Sequence, residues 1–259
     1  MTAEELSSPS LTAELKTRFI GHKAIYYPRV ISTMDIARRE ARHAAAEGTV
    51  IIAGEQAMGR GRLKRHWLSP PGNVALSVIL YPHVSFLPCL IMIASLAVVY
   101  SIEAVTGLKA RIKWPNDVLI GRKKVCGILI ENELKGVTAS AIIGIGINVN
   151  IVPSGLDAAS VAATSLKDEL NREVALADVV RQLLVEMERL YLTLPDCEYI
   201  YKSWRDKLAT LGKKVTVVMG DRVLEGMAAS VDEGGALWLR RDDGELTRII
   251  AGDVNLREE

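Results

Sequence analysis

Acidic residues are absent from one long stretch of this chain: no Asp or Glu occurs between Glu55 and Glu103. Cysteine is also scarce. Cys89, Cys126 and Cys197 are odd in number and widely spaced, so they form no metal-ligand pattern. A reduced, cytoplasmic setting is the expectation from that usage. Aromatic residues make up 5% of the chain and the net charge is +1, which argues against a general polyanion binder with a basic, aromatic-rich surface. No secretory signal opens the sequence, whose first ten residues are polar and acidic. The apolar segment Cys89 to Ile102 lies between Pro88 and Glu103 and has 14 residues. A membrane-spanning helix needs about 20, so the segment is expected to be a helix buried on nearly all sides, with no membrane contact.

The remaining pattern is that of an α+β protein. A short helix is expected from Thr12 to Ile20. A second should start at Ser32, with Asp35 completing a capping-box-like start, and run to Gly48. Thr49 to Ala53 reads as a buried strand, Gln56 to Asn73 as a long polar loop, and VALSVILY as a strand ahead of the buried helix. Between Ala110 and Asn150, strand-like runs separated by KWPND, GRKK and Lys135-Gly136 predict antiparallel hairpins. Two helices should follow, one presenting Val179, Leu183, Met187 and Leu190 on a single face. From Gly212 onward, short strands broken by Gly and Asp predict a small β-barrel. The expected domains are therefore 1–211 and 212–259.

Four segments carry chemistry. In Gly59 to Trp67 (GRGRLKRHW), Arg60, Arg62, Lys64 and Arg65 accompany Gly59, Gly61 and one indole. Glycines allow close backbone approach, and arginines grip carboxylate or phosphate oxygens in a fork. Such a loop suits an anionic small molecule; a solvated basic loop or nucleic-acid patch has the same composition. The second segment is Lys113-Trp114-Pro115-Asn116-Asp117, which fits a phosphate site and equally an ordinary turn. Asp117 is the only acid from Lys109 to Lys124, among six Lys or Arg residues. The third, Lys124 to Ile128, puts Lys124 and Gly127 on one strand. The fourth, Gly144 to Asn150 (GIGINVN), lacks the third glycine and following helix of a dinucleotide fold. Its alternate glycines instead leave room on one face for a flat ligand, with Asn148 at the rim.

Taken together and in this order, GRGR…W, KWPND, K-x-x-G-I and GIGIN resemble the bacterial biotin–protein ligases over about residues 25 to 256. The resemblance implies a mixed, largely antiparallel sheet flanked by helices, of the class II synthetase and biotin-ligase type, with an SH3-like C-terminal barrel. It implies ATP and biotin as substrates, Mg²⁺, and transfer of biotin to a lysine of a biotin carboxyl carrier protein. A homodimer is a further expectation. By motif, Ser32, Thr33 and Gln56 match biotin-holding positions, and Gly59, Arg60, Gly61 and Arg62 the loop that closes over biotin and the adenylate. Lys124 and Gly127 match the biotin-carboxylate side, Trp67 the adenine side, and Lys113 the lysine between carboxylate and α-phosphate. Asn116 and Asp117 fall near the phosphates or Mg²⁺, and Gly146 and Asn148 in the nucleotide pocket. Lys113, Arg62 and Asp117 are the catalytic expectations.

The chain departs from the family pattern at Leu63 and Lys64, within the loop, and at Met34, where Asn often follows the Ser-Thr pair. The stretch before residue 25 is too short for a winged-helix domain, so the resemblance implies the monofunctional class, without DNA binding. A lipoate–protein ligase or an octanoyl transferase is the nearest rival reading.

Overall fold

Short β-branched segments build a seven-stranded sheet, seen in a computed structural model that describes residue 11, residues 14–152 and residues 163–256. The strands are β1 (Ala24–Tyr27), β2 (Val50–Ala53), β5 (Val74–Leu80), β6 (Ala110–Lys113), β7 (Asp117–Ile120), β8 (Lys123–Lys135) and β9 (Thr138–Ile147). Their order is β1-β2-β5-β9-β8-β7-β6. Only β1 and β2 pair in parallel; every other neighbour is antiparallel, as the closely spaced hairpin turns require. A separate hairpin, β3 (Gln56–Arg60) with β4 (His66–Ser69), stands beside this sheet.

Both faces of the sheet are covered, which explains why β5 is buried along its whole length. Val50, Ile52, Leu76 and Val78 point into the larger core with helix α2 (Leu87–Thr106). Ile51 and Ile79 point the other way, towards Met34, Ala37 and Ala41 of helix α1 (Thr33–Arg42). The period of two thus divides consecutive residues between two cores.

Helix α2 lies between the sheet and two further helices, α4 (Leu176–Tyr191) and α5 (Cys197–Lys207). Partners on opposite sides account for its all-round apolar surface. The segment Val84–Thr106 is long and apolar enough to cross a membrane, yet most of it is buried inside this fold. Val179, Leu183, Met187 and Leu190 form the buried face of α4. The C-terminal strands β10 (Lys214–Met219), β11 (Arg222–Val231), β12 (Leu237–Arg240), β13 (Leu246–Ile249) and β14 (Asp253–Leu256) make a five-stranded antiparallel sheet, in the order β13-β12-β11-β10-β14.

Five local expectations need correction. Residues 14–20 are not helical, while Thr12 and Ala13 lie outside the described residues. The backbone N–H groups of Arg18, Phe19 and Ile20 instead donate to the buried Glu188 carboxylate of α4. Helix α1 ends at Arg42, because Ala44 turns into the left-handed region ahead of Gly48. Ser32 does occupy its N-cap position, but its hydroxyl makes no capping bond, and Asp35 pairs with Arg38 and Arg60. The expected loop from Gln56 contains the β3–β4 hairpin and a 3₁₀ turn at Arg62–Lys64. Among the described residues, three helices rather than two lie between β9 and β10. The additional one, α3 (Leu166–Leu170), is a short turn whose N-cap Ser165 accepts from the Asp168 N–H.

Candidate active site

The end of β6 delivers Lys113 to the floor of a cavity of about 570 Å³. The turn after it contains a cis Trp114-Pro115 bond and returns the chain so that Asp117 pairs with Lys113 in the β6–β7 register. Trp114 anchors this turn from below. Its backbone N–H donates to Thr210 Oγ1 at 2.9 Å and its indole N–H to the Gly235 carbonyl at 2.8 Å. Thus the KWPND segment is tied to the C-terminal sheet as well as to its own hairpin.

Lys113 is only 6% exposed. Its ammonium has no hydrogen-bond or ion-pair partner among the described residues. Loss of solvation depresses its pKa below the ordinary lysine value. Asp117 opposes that shift most, while Lys124 and Arg65 reinforce it. The result is a buried cation that faces a cavity and lacks a counter-ion in contact.

Three other cations converge, one from β8 and two from the basic loop. Lys124, on β8, lies 2.9 Å from Asp117 and 5.4 Å above the Trp67 ring. Arg62 reaches down from the 3₁₀ turn to donate to Asn116 Oδ1 at 2.8 Å and to the Gly252 carbonyl at 3.2 Å. Burial lowers its pKa, and Asp253 at 3.9 Å works against that shift. Arg65 pairs with the same Asp253 carboxylate. The basic segment therefore spans the cavity and meets β14 on the far side.

The opposite end is polar but uncharged. Thr33 donates to Gln56 Oε1 through its backbone N–H at 2.9 Å and its hydroxyl at 3.1 Å. Ser77 donates to Thr33 Oγ1 at 2.8 Å. This relay fixes the Gln56 amide with its oxygen inward to Thr33, so Nε2 is available as a donor. Met34, Leu129, Gly144 and Ile145 supply apolar walls.

Gly127 and Gly146 face one another across the β8–β9 ladder. A Cβ on Gly146 would lie 2.3 Å from the Trp67 indole nitrogen, and one on Gly127 would lie 3.0 Å from the ring. The glycines do make room for a flat group, and the group that fits there is the protein's own indole. Its buried N–H has no acceptor among the described residues.

Most residues singled out in the sequence meet at this cavity: Thr33, Gln56, Arg60, Gly61, Arg62, Trp67, Lys113, Asn116, Asp117, Lys124, Gly127 and Gly146. Arg60 stands at the rim, where Asp35 at 3.0 Å and Glu131 at 2.8 Å hold it. Ser32, Gly59 and Asn148 are not part of the lining. Asn148 donates to the Thr164 carbonyl at 3.1 Å, and its oxygen faces Asn73 at 3.4 Å. The Ser32 hydroxyl is buried without a partner among the described residues. Sequence reasoning did not single out Asp253, which comes from the C-terminal sheet some 190 residues away from Arg62. No local pattern around Asp253 marks it, because its neighbours in the cavity are remote in sequence.

Comparison with known proteins shows the family of the chain. Residues 26–148 match the biotin/lipoate A/B protein ligase family, and residues 210–257 match the biotin protein ligase C-terminal domain. The chain is 34% identical to the bifunctional ligase/repressor BirA of Bacillus subtilis, over 97% of this chain and 79% of that protein. It is 33% identical to the biotin–[acetyl-CoA-carboxylase] ligase of Mycobacterium tuberculosis, over 85% of this chain and 83% of the other. Among solved structures, the biotin protein ligase of Aquifex aeolicus in complex with biotin and ATP superimposes with a TM-score of 0.75. It is 29% identical, and the match covers 92% of this chain and all of that one. On sequence, fold and site together, the chain belongs to the biotin protein ligase family.

Proposed function

We propose that the cavity joins the biotin carboxylate to the α-phosphate of ATP, giving biotinyl-5′-AMP and pyrophosphate, and then passes biotin to a lysine of a biotin carboxyl carrier protein. The carrier of acetyl-CoA carboxylase is the acceptor that the M. tuberculosis relative's name suggests. The observation that carries this reading is Lys113, a buried cation that faces the cavity with no partner among the described residues.

The first step must bring two anions within bonding distance. Two unit charges about 4 Å apart repel by roughly 4 kcal/mol at an effective dielectric of 20. Since about 1.4 kcal/mol is tenfold in rate, unrelieved repulsion would cost nearly a thousandfold. Lys113 relieves it from between the two anions, with Lys124 towards the carboxylate and Arg62 towards the phosphate. The carboxylate oxygen attacks phosphorus, the P–O bond to pyrophosphate breaks, and these cations stabilise the charge on the equatorial oxygens. In the second step the acceptor amine attacks the mixed-anhydride carbonyl and AMP leaves. Asp117 would orient that amine. At the uncharged end, Thr33 and Gln56 would hold the polar head of biotin.

Among the described residues, no group of three or more His, Cys, Asp or Glu converges on a metal position. A magnesium ion arriving with ATP would therefore take mainly phosphate oxygens and water as ligands, with Asp117 as the protein's own contribution. Bound there, it supplies further neutralisation of the phosphates. We place the domain division near residue 211, with the C-terminal sheet contributing Asp253 to the nucleotide side.

ATP–pyrophosphate exchange tests the reading. Exchange that requires biotin supports it. Exchange driven by lipoate instead would reassign the substrate, and exchange with neither acid would remove the adenylation step.

A further inference from the structure

Cys89 and Cys197 bring their sulfurs to 2.7 Å although 108 positions separate them in the chain. Cys89 sits in the first turn of α2 and Cys197 is the first residue of α5. Neither lines the active-site cavity. Both are free thiols. We propose that they form an oxidisable dithiol which a low-molecular-weight disulfide converts into a structural cross-link between α2 and α5.

The two thiols have unequal access, and that sets their order of reaction. Cys89 is 4% exposed, whereas Cys197 is partly exposed. The Cys197 thiolate attacks one sulfur of the oxidant, whose S–S bond breaks and releases a first small thiol. Cys89 then loses its proton and attacks the Cys197 sulfur of the mixed disulfide, releasing a second small thiol. Two protein thiols are oxidised and one small disulfide is reduced, so electrons and protons balance. Only a contraction of well under 1 Å separates the present contact from a bond of about 2.05 Å. Burial and the contact with Cys197 push the Cys89 thiol up to about 12, so the second step is slow at neutral pH without being prevented. Cys126 stands apart. It is fully buried, its sulfur donates to the Gly127 carbonyl at 3.7 Å, and burial raises its pKa strongly.

The cross-link would close a loop that contains β6 to β9, and with them Lys113, Asp117, Lys124 and the facing glycines. A long closed loop restrains the unfolded chain most. The native site should feel little, because α2 and α5 are already tied at their other ends by Lys207 and Glu103 at 2.8 Å. Oxidation is therefore expected to stabilise the enzyme and leave its turnover within twofold.

The test is incubation of the full chain with oxidised glutathione, followed by intact mass, peptide mapping and thermal melting, with dithiothreitol as the reduced control. Expected are a loss of two hydrogen masses, a peptide joining Cys89 to Cys197, and a melting temperature raised by on the order of 5 °C or more. Cys197→Ser should abolish all three, whereas Cys126→Ser should abolish none. A lasting glutathione adduct on Cys197, an unchanged mass, or a bridge involving Cys126 would each overturn the proposal. The mass readout on the unmodified sequence does not depend on any variant folding.

Discussion

Arg62 and Asp253 stand 3.9 Å apart across the seam between the glycine-rich hairpin and the last strand of the C-terminal sheet. Asp253 also holds Arg65, so one carboxylate secures two cations of the same loop. Both partners of the 3.9 Å pair are largely shielded from solvent, which makes the arrangement stronger than an exposed pair.

Removing that carboxylate should loosen the loop without unfolding either sheet. For Asp253→Asn, the expected result is a several-fold higher KM for ATP and faster escape of adenylate, corresponding to about 1 kcal/mol of lost loop closure. Steady-state kinetics and a filter assay for retained adenylate measure the two effects. Unchanged retention would show that Asp253 does not hold the loop.

Lys113 separates stability from function. A buried charge without a partner opposes folding, so replacing it with an apolar chain of similar length should stabilise the fold. For Lys113→Met we expect a fold more stable by about 1 kcal/mol and biotin-dependent exchange reduced by roughly a thousandfold. Denaturant unfolding and exchange on the same preparation check both signs. A less stable fold with normal exchange would contradict the role on both counts.

The same residue fixes a pH dependence. Its folded-state pKa is depressed below the usual lysine value, mainly by lost solvation. The unfolded chain therefore holds this proton to higher pH than the native one. Its effect on stability is most adverse below the folded pKa and is relieved as pH rises towards the unfolded pKa. Activity runs the opposite way, since the ammonium is needed. Bound phosphate favours the charged form, so the alkaline limb of kcat/KM for ATP should lie at lower pH than that of kcat. Lys113→Arg should move the kcat/KM limb upward. Coincident limbs that ignore this substitution would assign the alkaline fall to another group.

The elements that could be read from the sequence were those with a strong local pattern. The near-continuous apolar runs of β2 and β5 and the apolar face of α4 depend on neighbours within one element. So does the position of Lys113 at a strand end before a Pro-containing turn. What could not be read depended on partners far along the chain. Residues 14–20 have helix-compatible composition, but Glu188 takes three of their backbone donors from 168 to 170 positions away. The segment after Gln56 looked like a loop because its register is irregular between Gln56 and Gly59, which erases the strand alternation. Asn148 follows two lining glycines in sequence, yet its amide is spent on the Thr164 carbonyl inside the protein. Asp253 carried no local signal at all.

Glu188 provides a stability contrast that avoids the active site. Its buried carboxylate is the acceptor for the N–H groups of Arg18, Phe19 and Ile20. Glu188→Ala leaves these donors without their acceptor and should cost about 3 kcal/mol or more. Chemical denaturation reads this directly, while KM for biotin in the folded fraction should hold within twofold. A cost below about 1 kcal/mol would mean that water replaces the carboxylate easily.

Finally, the two glycines of β9 should respond differently to the same added methyl group. A Cβ on Gly144 would lie 2.5 Å from Met34 Sδ, the far part of a flexible side chain that can move aside. On Gly146 it would lie 2.3 Å from the Trp67 indole nitrogen, part of a rigid bicyclic ring already packed against Gly127. Gly144→Ala is therefore expected to raise KM for biotin less than about fivefold, at a cost of under 1 kcal/mol. Gly146→Ala must expel the indole from its place over the sheet and should raise KM for ATP and biotin together by tenfold or more, about 1.4 kcal/mol. Tryptophan fluorescence distinguishes the mechanisms, because only the second substitution moves Trp67 into a wetter environment. Equal kinetic penalties with an unchanged emission spectrum would show that the indole's seat between Gly127 and Gly146 is not what the site requires.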